Sequence, residues 1–84
     1  MDSHPPSQLP VLNIAAYKFA ELTNLPELRA RLKAECLALE LKGSILLSPE
    51  GVNLFIAGES NAVESLLEIL RSIPGLETLE VKRS

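Results

Sequence analysis

Near the middle of the chain, the segment LLSPEGVNLFIAG (residues 46–58) places Pro49, Glu50 and Gly51 between two strongly apolar runs. Pro49 suits the second position of a type I turn, because its ring holds φ near the required value. Gly51 suits the left-handed residue that completes a bulged hairpin. The apolar runs SILLS and VNLFIAG are therefore predicted to pair as an antiparallel hairpin, which constrains the rest of the fold.

Two further strands are predicted from alternation of apolar and polar residues. The first is residues 11–19, VLNIAAYKF, in which successive side chains alternate between the two faces of the strand. One face would carry Leu12, Ile14 and Ala16. The opposite face would carry Asn13, Ala15, Tyr17 and Phe19. In LETLEVKRS, Leu79 and Val81 alternate with polar residues, which predicts a half-buried final strand.

Helical periodicity separates these strands from the hairpin. Asn24 and Glu27 have the spacing of a capping box, and this first helix is predicted to end at Gly43. Its apolar stripe comprises Leu25, Leu28, Leu32, Cys36 and Leu39. The second helix is predicted to begin with Asn61 and Glu64 as a capping box, or with Ser60 as the cap, and to end at Pro74 and Gly75. Its apolar face comprises Val63, Leu66, Leu67, Leu70 and Ile73.

The resulting order predicts an α+β, ferredoxin-like split β-α-β-β-α-β fold, a four-stranded antiparallel sheet with two helices on one face. The domain is expected to span residues 11–84, after a flexible Pro-rich leader at residues 1–10. The hairpin strands are apolar on both sides, so the sheet face away from the helices should carry an apolar patch. That patch would contain Leu46 with Leu54 and Ile56, or else Ile45 and Leu47 with Phe55. A further domain, a second copy or the leader could cover it.

Composition limits the classes of function. A net charge of −3 and a pI near 5.1 argue against a nucleic-acid binder that works through bulk charge. The single cysteine excludes a disulfide framework and favours the cytoplasm, and no apolar run is long enough to span a membrane. Cys36 is expected to pack as a small hydrophobe, and His4 has no ligand partners at metal-site spacing. The sequence predicts no metal site and no cofactor.

Turn geometry leaves two residues of the hairpin unexplained. Glu50 is either a solvated carboxylate at the tip or a contact for a ligand or partner. Asn53 is disfavoured in a strand, and it either caps the turn or binds a ligand. With Tyr17 and Lys18 of the first strand, these are the candidate substrate-binding residues. No catalytic residue is predicted.

Three segments together carry a resemblance to a known family: AAYKF, LKGSILLSPEGVNLFIAG and LEVKRS. They resemble the N-terminal domain of the rhodanese-domain proteins of the tRNA uridine hydroxylase family. The resemblance implies that the whole protein oxidises uridine 34 of tRNA to 5-hydroxyuridine with molecular oxygen. It also implies that the catalytic cysteine lies in a C-terminal rhodanese domain, so Cys36 does not inherit that role. This chain is then an N-terminal fragment with tRNA and the rhodanese domain as partners.

Three functions remain to be separated. The first is a noncatalytic module that positions tRNA or the rhodanese domain, with Tyr17 and Phe19 available to stack on a base. The second is an enzyme such as an acylphosphatase, which would need a glycine-rich phosphate cradle after the first strand; YKFAELTNLP has no glycine. The third is a small-molecule-binding module, or a regulatory module that self-associates through the open sheet face.

Overall fold

The predicted element order is present in the computed structural model, which describes residues 10–84. The elements are β1 Val11–Phe19, α1 Leu25–Ala38, β2 Lys42–Ser48, β3 Gly51–Glu59, α2 Ser60–Arg71 and β4 Lys82–Arg83. The strands form one antiparallel sheet in the order β2-β3-β1-β4. This is the ferredoxin-like fold, as predicted. His4 and the first nine residues of the predicted leader lie outside the described residues.

The core lies between the two helices and one face of the sheet. In β1, Ile14 is buried directly opposite Ile56 of β3, while Tyr17 and Phe19 are exposed, which confirms the predicted alternation. The core is entirely aliphatic: the buried side chains are Ile14, Leu22, Leu32, Val52, Leu54, Ile56, Val63, Leu66, Leu67, Leu70, Ile73, Leu76 and Leu79. Burial of these apolar side chains provides the main favourable free energy of folding.

The hairpin between β2 and β3 is tighter than predicted. Ser48 pairs with Gly51, and the register continues to Lys42 and Ala57 without interruption, so the predicted bulge is absent. Gly51 has a φ of 153°, and a Cβ at this position would lie 2.1 Å from the carbonyl oxygen of Lys18. The positive φ that the turn predicted is therefore present, and the close approach of β1 excludes any larger residue as well.

This register also corrects the predicted composition of the open sheet face. Pro49 and Glu50 alone form the loop, so each even-numbered residue of β2 pairs with an odd-numbered residue of β3. Leu46 therefore shares a face with Phe55, whereas Leu54 and Ile56 point to the core. Both predicted groupings are wrong, because each joined residues that a two-residue loop places on opposite faces.

The first helix has the predicted apolar stripe but different ends. Asn24 occupies the N-cap position with φ 54°, and its side chain makes no capping hydrogen bond, so the predicted capping box is wrong. A side chain caps from an extended backbone conformation, which Asn24 does not have. The helix ends at Ala38 rather than Gly43: Leu41 N–H donates to the Cys36 carbonyl, with Glu40 at φ 58° in the left-handed position.

The second helix begins at a residue that the sequence reading missed. Glu59 is its N-cap, and one carboxylate oxygen accepts hydrogen bonds from the backbone N–H of Asn61 at 2.9 Å and of Ala62 at 3.3 Å. The predicted caps at Asn61 and Ser60 are therefore wrong. The predicted apolar face is correct, since its five members are all buried: Val63, Leu66, Leu67, Leu70 and Ile73. The helix ends at Arg71, before Pro74.

Replacement of Glu59 by Ala is expected to lower the free energy of unfolding by about 1 kcal/mol, because two N–H groups at the start of α2 lose their acceptor. Asn61→Ala, at the predicted cap, is the matched control and should change stability by less than about 0.5 kcal/mol. Urea denaturation of both variants measures the difference. A larger effect at Asn61 than at Glu59 would contradict the assignment of the cap.

The final strand is shorter than predicted: it comprises Lys82 and Arg83, and Ser84 after it exchanges two backbone hydrogen bonds with Asn13 of β1. Leu79 is buried as expected, but its carbonyl accepts two hydrogen bonds from the Arg71 guanidinium, at 3.1 Å from Nε and 2.9 Å from Nη2. These bonds tie the chain before β4 to the end of α2 instead of to β1. Arg83 forms an exposed ion pair with Glu64, which joins β4 to α2.

Candidate contact surface on the open sheet face

The sheet face away from α1 and α2, here called the open face, carries the aromatic side chains. The chain contains one tyrosine, two phenylalanines and no tryptophan. All three lie on this face and are exposed: Tyr17 by 69%, Phe19 by 80% and Phe55 by 56%. Leu46, exposed by 64%, lies beside them. Aromatic side chains normally contribute to the core, so their complete absence from this core indicates a surface that contacts something else.

Strand pairing orders this surface in rows. Tyr17 lies directly opposite Asn53, and Asn53 lies opposite Leu46 on its other side. The rings of Tyr17 and Phe19 form an edge-to-face pair with centroids 5.7 Å apart. The row therefore presents a polar amide between two apolar side chains, a combination that can both stack on a planar group and hydrogen-bond to its edge.

The structure brings the four predicted site residues to one end of the sheet. Tyr17, Lys18, Glu50 and Asn53 all line a shallow groove of about 380 Å³ beside the tip of the β2–β3 hairpin. Lys18 is opposite Val52 and is half-buried, on the other sheet face from Tyr17. The groove thus combines one carboxylate and one amide beside an aromatic wall, while Lys18 borders it from the opposite sheet face. The role of these residues stays a prediction.

Backbone hydrogen bonds fix the hairpin tip in place. Ala20 N–H donates to the Glu50 carbonyl at 2.9 Å, and Leu22 N–H donates to the Pro49 carbonyl at 3.2 Å. Glu50 N–H donates to the Ser48 hydroxyl at 3.2 Å. The turn is therefore held against the loop that follows β1, and the exposed Glu50 side chain extends from a fixed backbone.

Sequence reasoning found Tyr17, Phe19 and Asn53 but did not group them with Phe55 and Leu46. The alternation of β1 identified Tyr17 and Phe19, and the low strand propensity of asparagine identified Asn53. The positions of Phe55 and Leu46 depended on the hairpin register. The length of the hairpin loop was the signal that could have joined them, because a two-residue loop determines which residues of β2 and β3 share a face.

No buried charged or polar side chain occurs in residues 10–84, and these residues contain no cluster of potential metal ligands. Over the same range, neither helix has the length and apolar character needed to cross a bilayer.

Cys36 is partly buried and packs against the core, close to its predicted environment. Desolvation by burial and the neighbouring Glu35 carboxylate raise the pKa of this thiol. Since the thiolate is the nucleophile, a raised pKa makes Cys36 less reactive near neutral pH.

Alkylation of Cys36 by iodoacetamide at pH 8 is expected to be slower in the folded protein than in the same chain in urea, because the raised pKa leaves less thiolate. Glu35→Gln should increase the folded-state rate by removing the neighbouring negative charge. Mass spectrometry of timed samples gives both rates. A folded-state rate equal to the rate in urea would show that burial does not protect the thiol.

The loop after β1 does not resemble a phosphate site. Residues 20–24 contain no glycine, and the adjacent surface carries Glu21 and Glu27 together with Arg31. Two carboxylates would oppose an anionic ligand.

Comparison with known proteins assigns the chain to a protein family. The sequence model of the UPF0176 acylphosphatase like domain matches residues 11–84. The chain belongs to the UPF0176 family. This confirms the resemblance inferred from the hairpin and from the flanking AAYKF and LEVKRS segments.

Curated relatives of this UPF0176 domain include enzymes named tRNA uridine(34) hydroxylase. The one from Bordetella petrii is 50% identical over 74 residues, which are 88% of this chain and 29% of the relative. The one from Thiobacillus denitrificans is 45% identical over 74 residues, 88% of this chain and 30% of the relative. The chain thus spans under a third of the length of these relatives.

A solved structure supports the fold alone. The de novo designed protein Ferredog-Diesel matches with a TM-score of 0.60 at 13% identity, over 100% of this chain and 93% of the designed chain. At this identity the match speaks for the ferredoxin-like arrangement and not for any activity.

Proposed function

We propose that this UPF0176 domain is the noncatalytic N-terminal domain, residues 11–84, of a tRNA uridine(34) hydroxylase-like protein. The whole protein would convert the wobble uridine to 5-hydroxyuridine in the cytoplasm, with a C-terminal rhodanese domain in cis supplying the catalysis. The domain would position the tRNA, or the catalytic domain, through the open face. The names of relatives that are up to 50% identical support the reaction.

The proposed role of the open face rests on the location of the aromatic residues. A core built only from aliphatic side chains leaves Tyr17, Phe19 and Phe55 free to contact a partner. Aromatic side chains on a sheet can stack on unpaired bases, and they also contribute strongly to protein interfaces. Asn53, between Tyr17 and Leu46, supplies hydrogen-bonding groups in the middle of this surface.

A chimera tests the proposal directly. The matching 74 residues of the Bordetella petrii relative are replaced by residues 11–84 of this chain, and 5-hydroxyuridine at position 34 is quantified by mass spectrometry of digested tRNA. Glu50→Gln and Asn53→Ala are expected to lower the initial rate at least about threefold without unfolding the domain. Glu68→Gln and Asn61→Ala, exposed residues of the same types on α2, are the controls.

Activity equal to that of the unsubstituted chimera in both variants would reduce the hairpin tip to a structural turn. An NMR titration of this chain with unmodified tRNA separates the two positioning roles. Salt-sensitive amide shifts at residues 17–19 and 50–53 would show direct contact with tRNA. Their absence, with an active chimera, would leave the open face as the contact for the catalytic domain.

The alternative is a regulatory module that binds a small molecule or dimerises through the open face. The exposed apolar side chains favour it to the same degree as an interdomain contact. Sedimentation equilibrium distinguishes it: a tight dimer that gives no NMR response to tRNA and an inactive chimera would together support this alternative.

A further inference from the structure

A second groove lies between α1 and β2, at the edge of the sheet that β2 forms. It has a volume of about 370 Å³. The helix contributes Arg29, Lys33 and Cys36 to its wall. Lys42 and Ser44 of the edge strand lie at its rim, because they pair with Ala57 and Phe55 and so belong to the open-face side of β2. This set of residues is called the α1–β2 groove below.

The groove exists because α1 covers the sheet incompletely. Leu32 is the one fully buried residue of α1, whereas α2 buries four. Gly43, in the strand wall, lies against the backbone of β3, and a Cβ there would lie 1.9 Å from the Phe55 carbonyl oxygen. The opening therefore follows from the incomplete cover that α1 gives to the sheet.

The charge of the α1–β2 groove differs from that of three other surface depressions in residues 10–84. Its charged lining residues are Arg29, Lys33 and Lys42, and the lining contains no carboxylate. The groove at the hairpin tip combines Lys18 with Glu50, and the others also mix both signs. In a chain of net charge −3, three cations without a carboxylate make a local site for an anion.

The floor of the groove is apolar. Leu32 and Ile56 are buried there, with Ile45 and Leu47 packed beside them. A double-stranded phosphate backbone would contact the cationic rim and leave this floor unused. An unpaired nucleotide combines an anionic phosphate with a flat, largely apolar base, so it matches both parts of the groove.

We infer that the α1–β2 groove binds an unpaired nucleotide of the tRNA, with Arg29, Lys33 and Lys42 on the phosphates and the aliphatic floor against the base. This inference rests on the proposed function, which identifies tRNA as the partner. It adds a tRNA contact at the β2 edge of the sheet.

Binding of a fluorescent anticodon stem–loop RNA to this chain, measured at several salt concentrations, tests the inference. The triple variant R29Q/K33Q/K42Q is expected to bind at least about tenfold more weakly. Its slope of log K against log salt should be smaller by about two to three, since each lost phosphate contact removes about 0.7–0.9 of the slope. A triple variant that binds like the unsubstituted chain overturns the inference.

A single-residue comparison removes the effect of net charge. Arg29 and Arg31 are both exposed on α1, and at 100° per residue their side chains lie about 200° apart around the helix. Arg29→Gln is expected to lower the salt slope by about one, whereas Arg31→Gln should leave it unchanged. Equal effects would show that bulk charge, not the groove, attracts RNA.

Two further measurements complete the test. The unsubstituted chain should bind the stem–loop more tightly than a fully paired RNA of equal length, and equal affinity would contradict the nucleotide site. In the chimera, the triple variant should raise KM for tRNA with little change in kcat. An active chimera unaffected by the triple variant overturns this inference alone, whereas an inactive unsubstituted chimera counts against the proposed function.

Discussion

Replacement of Leu70 by Ala is expected to lower the free energy of unfolding by about 3–5 kcal/mol. Leu70 lies on α2 and is fully buried, so its removal loses transfer free energy and leaves a cavity that α2 and the sheet cannot fully close. A domain of this size has a stability of about 4–13 kcal/mol, so the variant loses a large part of it. Urea denaturation followed by circular dichroism measures the change in the midpoint.

Leu37→Ala is the matched control for Leu70, since it is the same substitution on the other helix. Leu37 is 70% exposed and should change stability by less than about 1 kcal/mol. Similar losses for the two variants would mean that α1 packs as tightly as α2. That result would also remove the α1–β2 groove on which the nucleotide contact depends.

Gly51→Ala is expected to destabilise the domain by about 3 kcal/mol or more, through the hairpin rather than the core. The φ of 153° is unfavourable for any residue with a Cβ, and the new methyl group would meet the Lys18 carbonyl oxygen at 2.1 Å. The blocking atom belongs to the backbone of β1, so relief requires β1 and β3 to separate. Thermal unfolding and amide exchange of residues 17–19 report this change.

Gly58→Ala, in the same strand, is the control for Gly51. Its Cβ would meet Cδ2 of Leu41 at 2.4 Å, but this atom is the end of a flexible side chain that can rotate away. We expect Gly58→Ala to cost less than half as much as Gly51→Ala. If the two variants are equally unstable, steric contact with the β1 backbone is not the cause of the effect at Gly51.

The candidate surfaces were accessible to sequence reasoning to different degrees. Alternation in β1 placed Tyr17 and Phe19 on one face, because side chains alternate strictly along a strand. Phe55 could not be assigned in this way, since apolar residues occupy both faces of β3. The α1–β2 groove was not predicted: Arg29 and Lys33 lie one helical turn apart in the sequence, but Lys42 joins them only through the packing of α1 on β2.

The pattern of the chain was sufficient for the order of the elements and for the apolar faces of both helices, because periods of 2 and 3.6 residues are local properties. The pattern was not sufficient to predict where the helices begin and end. Glu59, rather than Asn61 or Ser60, caps α2, and Glu40, rather than Gly43, turns the chain after α1. Caps depend on backbone angles that neighbouring elements impose. The tertiary structure alone decided the register of the hairpin, and with it which apolar side chains, Leu46 and Phe55, remain uncovered by the two helices.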